Sequence, residues 1–108
     1  MKIYISGPIT GVRDYKMKFK QAEIKIRDAN PDAIILSPAI LPAGLTNREY
    51  MEIDLAMIRA ADVVALLPDW ETSTGARLEK LHCQYTGTIT MELAALIEKL
   101  RRADDGTL

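Results

Sequence analysis

Apolar and polar positions along the chain change period several times, and each change falls on a turn signal. The run KIYIS (2–6) is short and β-rich, and it ends in GPITG, whose two glycines and proline close a strand. From Asp14, a good N-cap, Tyr15, Phe19, Ala22 and Ile26 recur at helical spacing until Asn30-Pro31 stops the pattern. That spacing predicts a helix over 14–29. AIILS (33–37) is a continuous apolar run, as in a strand covered on both faces. After a loop containing proline and glycine, Asn47 is the expected cap of NREYMEIDLAMIRAA, a helical pattern with one strongly polar side. DVVALLP (62–68) is the third apolar strand, closed by Pro68-Asp69-Trp70. ETSTG then leads into a helix over 75–85 that stops at Gly87, followed by a weak strand, TITM, and a last helix to 102.

Strands alternating with helices imply right-handed βα crossovers and a parallel sheet. The expected fold is therefore a small doubly wound α/β domain, flavodoxin- or Rossmann-like, with four or five strands covered by helices on both faces. One domain over 1–103 accounts for the pattern, with 104–108 expected as a frayed tail. In such sheets ligands sit beyond the carboxyl ends of the strands, near a switch in strand order. Three loops qualify: GPITGVR after the first strand, the Pro38 loop after the second, and PDWETSTG after the third.

Composition removes several classes of function. Apolar residues make up 48% of the 108 and charged residues 27%, and no apolar run approaches the roughly 18 residues of a membrane span. A soluble domain without a membrane partner is expected. KIYIS at the start lacks the basic, apolar and small-residue succession of a signal peptide, so the expected location is cytoplasmic. The net charge of −1, with acids and bases interspersed, gives no basic field for polymeric nucleic acid. The lone Cys83 has only His82 beside it, so neither a disulfide nor a metal-ligand set is legible. Both residues read as packing or helix-surface groups, and Met17, Met51, Met57 and Met91 read as core filler.

Two acids break the helical patterns. With ~100° per residue, Arg77, Lys80 and Gln84 group as the solvent arc of the helix 75–85, and Leu78, Leu81 and Tyr85 are assigned to its buried arc, with Glu79 toward the buried side. In the helix that starts at 47, Arg48, Glu52 and Arg59 form the wet side, and Tyr50, Met57 and Ala61 the dry one. Asp54 lies within roughly 40° of that dry centre. Buried carboxylates need partners, because desolvation costs several kcal/mol per ion. Either acid could be a satisfied structural group, with Glu79 meeting Arg13 or a backbone amide and Asp54 meeting Tyr50 or a loop. As a pair near one sheet edge, they suit nucleophilic and acid/base work at a glycosidic carbon, where a carboxylate traps an oxocarbenium-like state.

The loops fit an anionic substrate. ETSTG places Ser73, Thr74 and Gly75 at a helix N-terminus, where free amides favour an anion, and Gly7, Pro8 and Ile9 belong to a second backbone loop. Neither loop is a phosphate fingerprint, and Ser73 or Thr74 is equally suited to be a plain N-cap. Trp70 is suited to stack on a base, to cap the core or to make an oligomer contact. Asp69 can bind a sugar hydroxyl or its own loop backbone. Arg13 and Arg48 read mainly as solvated surface groups.

KIYISGPITG, EYMEIDLAMIRAADVVALLPDW and STGARLE together resemble the nucleoside 2-deoxyribosyltransferase-like superfamily, including its 2'-deoxynucleoside 5'-phosphate N-hydrolase branch. The likeness is nearest to a small bacterial and phage subgroup, and it covers roughly residues 2–90. The resemblance implies a glutamate nucleophile at C1' of the sugar, matched by Glu79. It also implies an aspartate assisting base and sugar, matched by Asp54, and a tyrosine orienting the nucleophile, matched by Tyr4. Ser73 falls where the nucleotide hydrolases carry a phosphate-binding serine. The segment that completes a neighbour's site in the transferases has no counterpart. The resemblance therefore implies hydrolysis of the N-glycosidic bond of a (2'-deoxy)nucleoside 5'-monophosphate, with no metal or organic cofactor, in a homodimer or higher homo-oligomer. A deoxyribosyltransferase and a non-catalytic nucleotide sensor are the alternatives.

Overall fold

The computed structural model describes residues 1–104 of the chain. Four strands, β1 (Lys2–Ser6), β2 (Ile34–Leu36), β3 (Val63–Leu66) and β4 (Ile89–Glu92), alternate with four helices. The helices are α1 (Tyr15–Ala29), α2 (Asn47–Ala60), α3 (Thr74–Thr86) and α4 (Leu93–Asp104). All strand pairs are parallel, in the order β2-β1-β3-β4. The chain order therefore reverses between β1 and β3, and the expected doubly wound α/β fold is the observed one.

The period of two along β1 and β3 sorts the core into two halves. Ile3, Ile5, Val63 and Ala65 face α1 and α4, packing with Phe19, Ala22, Ile26, Leu96 and Leu100. Tyr4, Val64 and Leu66 face the other way, toward Ile58 of α2 and Cys83 of α3. Helices thus cover both faces of the sheet.

The local chemistry of several elements departs from expectation. Thr46, not Asn47, caps α2: its hydroxyl accepts from the Glu49 amide at 3.1 Å, and the Glu49 carboxylate accepts from the Thr46 amide at 2.8 Å. This reciprocal pair satisfies two donors that Asn47 alone would leave open. Asp14 precedes α1 without a side-chain capping bond. β2 is an edge strand with Ile34 more than half exposed, so its apolar run does not mark burial on both sides. Met17 is also exposed, on the outer side of α1, rather than filling the core. α3 ends at Gly87, whose φ of +80° is accessible to glycine and which returns its amide to Cys83 O at 2.9 Å. α4 runs through Asp104, and 105–108 of the expected tail lie outside the described residues.

Candidate functional site

Beyond the carboxyl ends of β1 and β3, a cleft of about 810 Å³ opens at the reversal in strand order. The β1 loop contributes Gly7, Pro8 and Ile9 to its walls, α2 contributes Arg48, Met51 and Asp54, and the start of α3 contributes Ser73, Gly75 and Glu79. Tyr15, Pro38, Leu41 and Leu78 add apolar surface. Such a mixture of apolar lining and a few convergent polar groups suits a small organic ligand.

Glu79 is the best-anchored side chain of the cleft. It is only 5% exposed, yet it meets neither Arg13 nor a backbone amide. The Tyr4 hydroxyl donates to Oε2 at 2.9 Å, and the Ser6 hydroxyl donates to Oε1 at 2.7 Å. Both donors project from β1 on the same face, two residues apart, and both are completely buried. The predicted contact of Tyr4 with Glu79 is therefore present, and Ser6 is a partner that the sequence reading missed. Its signal was available: Ser6 repeats the direction of Tyr4 along the strand and is polar where its neighbours are not.

Asp54 is 8% exposed, and its Oδ1 has no hydrogen-bond partner. Tyr50 does not supply one, because its hydroxyl donates to Pro42 O at 2.6 Å. An unsatisfied buried acceptor in a ligand-sized cleft is an expensive arrangement unless a donor arrives with the ligand. Among the described residues no group of three or more His, Cys, Asp or Glu is placed to hold a metal ion.

The two acids influence one another. Burial raises Glu79 to about 8, the Asp54 carboxyl adds to the rise, and the Ser6 and Tyr4 hydroxyls pull against it. Burial also raises Asp54, with the Glu79 carboxyl pulling the other way. Near neutral pH the buried Glu79 therefore favours its protonated form. Tyr4 is raised well above its ordinary value by its own burial and then by Glu79, which keeps it a phenol and a donor.

At the mouth of α3, Ser73 Oγ accepts from the Ala76 amide at 3.1 Å, so this serine is the N-cap. Its hydroxyl proton and the amides of Thr74 and Gly75 are, by helix geometry, the donors left for an anion. A Cβ at Gly75 would meet only Ser73 Oγ at 3.8 Å and Met51 Cε at 3.9 Å, ordinary contacts. Gly7 differs, because a Cβ there would lie 2.6 Å from Leu67 Cδ1. What Gly7 secures is the close passage of the β1 loop over Leu67.

Three expected site residues do not line this cleft: Tyr4, which is buried behind Glu79, and Asp69 and Trp70. Asp69 faces Lys18, with Oδ2 at 3.4 Å from Nζ, and borders a separate hollow of about 350 Å³ with Lys25 and Gln21. Trp70 packs against the Tyr4 side of the core, with Lys80 Nζ 4.6 Å from the ring centroid. The buried arc of α3 also differs from expectation. Ala76, Glu79 and Cys83 are its buried positions, whereas Leu78, Leu81 and Tyr85 are exposed, Tyr85 at 93%. With ~100° per residue, that apolar stripe lies on the far side of the helix from Cys83 and Ala76. Small residues face the sheet, and the space they leave admits the Glu79 carboxyl beside them.

Residues 1–92 match the family described as Domain of unknown function (DUF4406), and the chain belongs to that family. The description names no activity. No curated protein and no solved structure matches the chain. No helix among the described residues is long and apolar enough to cross a membrane.

Proposed function

We propose that this protein hydrolyses the N-glycosidic bond of (2'-deoxy)nucleoside 5'-monophosphates, the reaction of the 2'-deoxynucleoside 5'-phosphate N-hydrolase branch that its sequence resembles. The observation that carries the reading is the buried Glu79 carboxyl, held through both oxygens by Tyr4 and Ser6 beside Asp54 at the edge of the cleft. A carboxyl fixed in this way is suited to attack at one sugar carbon. The Ser73 hydroxyl and the amides of Thr74 and Gly75 donate to the 5'-phosphate at the mouth of α3, and Gly7, Pro8 and Ile9 line the same cleft.

One proton shared between the two acids fits this chemistry. When it resides on Asp54, Glu79 is ionised. An oxygen of Glu79 then bonds to C1' while the C1'–N bond breaks, its electron pair leaves with the base, and Asp54 delivers the proton to the base. Water then cleaves the glycosyl ester, with Asp54 taking a proton back, and the anomeric configuration is retained. Association into a homodimer belongs to the same reading. The exposed stripe of Leu78, Leu81 and Tyr85 supports it, and sedimentation of the native chain tests it.

The test is incubation with a panel of nucleoside monophosphates and nucleosides, following free base by chromatography. Base release from monophosphates without an acceptor supports hydrolysis. Release only when a second base is supplied identifies a transferase, and tight binding without product from any substrate identifies a sensor.

A further inference from the structure

We propose that Ser6 is a positioning residue for Glu79: its hydroxyl, buried beneath the cleft, fixes the carboxylate in its attacking orientation. The inference rests on the proposed hydrolytic role of Glu79. Ser6 is wholly buried and is not among the residues that line the cleft, so it reaches a ligand only through Glu79. Its bond to Oε1 at 2.7 Å is the shorter of the two that hold this carboxyl. Because Tyr4 takes Oε2, each oxygen has one donor, and rotation about the terminal torsion of Glu79 would break both. One donor would leave that broad torsion free. Two from one strand lock it.

The electrostatic surroundings give Ser6 a second consequence. The groups facing Glu79 are Tyr4 and Ser6 from β1, Asp54 from α2 and Cys83 one turn along α3. Burial and Asp54 favour the neutral acid, whereas the two hydroxyls favour the carboxylate, Ser6 more than Tyr4. A hydrogen bond to an ion is about twice as strong as one to a neutral group, so Ser6 stabilises the charged form differentially. It therefore moves the shared proton toward Asp54, where the leaving base needs it.

The experiment is a carbon-13 NMR titration of the Glu79 carboxyl in the free protein, run with the pH profile of base release, for wild type, Ser6→Ala and Ser6→Cys. Ser6→Ala is expected to raise the Glu79 midpoint by about one pH unit. Its turnover on the neutral plateau should fall about tenfold, with little change in KM. Ser6→Cys, similar in shape and a weaker donor, should fall between the two, and it provides the reading if the alanine variant does not fold. An unshifted Glu79 midpoint in a folded variant overturns the proposal, as does a loss of turnover confined to KM. If wild type releases no base, the hydrolytic reading fails while the NMR titration still reads the Ser6 contact.

Discussion

The two faces of one sheet are built from alternate residues of the same strands, yet they behave as different materials. Toward α1 and α4, β1 presents Ile3 and Ile5, and among the described residues the packed apolar group there holds fourteen. Toward α2 and α3, β1 presents Tyr4 and Ser6, and the apolar group there holds five. The remaining space on that face is taken by Glu79 and Asp54, whose polar atoms are costly to bury and are only partly satisfied within the chain. One face supplies stability through close packing, and the other gathers the polar side chains that border the cleft. The division explains how a domain of 108 residues keeps two carboxyls out of water: the dry half offsets the cost.

The largest expected effect breaks the chemical face. Glu79→Gln keeps the shape, its amide oxygen accepting from one hydroxyl and its NH2 donating to the other, and it should reduce base release on the order of 10⁴-fold while circular dichroism stays unchanged. Next comes the dry face. Phe19→Ala, at a position 1% exposed, should cost about 3–5 kcal/mol in urea unfolding and leave KM of the folded protein as it was. Asp54→Asn sharpens the account of the shared proton. Wild-type turnover should hold below about 8 and fall as pH rises through it, when the pair loses its last proton. A carboxamide in place of the Asp54 carboxyl cannot carry that proton, so turnover of the variant should fall about 10²-fold and lose its alkaline limb. Its Glu79 midpoint should drop, because Asp54 is one of the groups that raises it. Smallest is Leu81→Ser on the exposed stripe, expected to change unfolding free energy by no more than about 0.5 kcal/mol in dilute solution.

Strand and helix order were legible because each turn of the chain carries its own breaker: Asn30-Pro31, Pro68-Asp69 and Gly87 sit where the period changes. The inward direction of Asp54 was legible too, since α2 has one clear wet side of Arg48, Glu52 and Arg59, all exposed. α3 was harder. Its large apolar residues point to solvent and its small ones to the sheet, so a wheel weighted by size selects the wrong arc, although Glu79 is buried as expected. Ser6 shares the direction of Tyr4 along β1, but what its hydroxyl does there depends on a partner 73 positions away, which the strand pattern alone does not identify. Trp70 and Asp69 were placed by loop membership alone. Whether a loop residue turns toward the cleft or away from it is set by contacts such as Lys18 and Lys80, which no local pattern encodes.

In the proposed reaction Glu79, and not Asp54, bonds to the sugar. The most direct measurement is acid quench of the protein within its first turnover of a deoxynucleoside monophosphate, followed by peptide mass spectrometry. The expected result is a deoxyribosyl-phosphate adduct on the peptide bearing Glu79, formed in step with the first equivalent of free base and absent from Glu79→Gln. An adduct on the Asp54 peptide instead, or base released at the wild-type rate by Glu79→Gln, would contradict it.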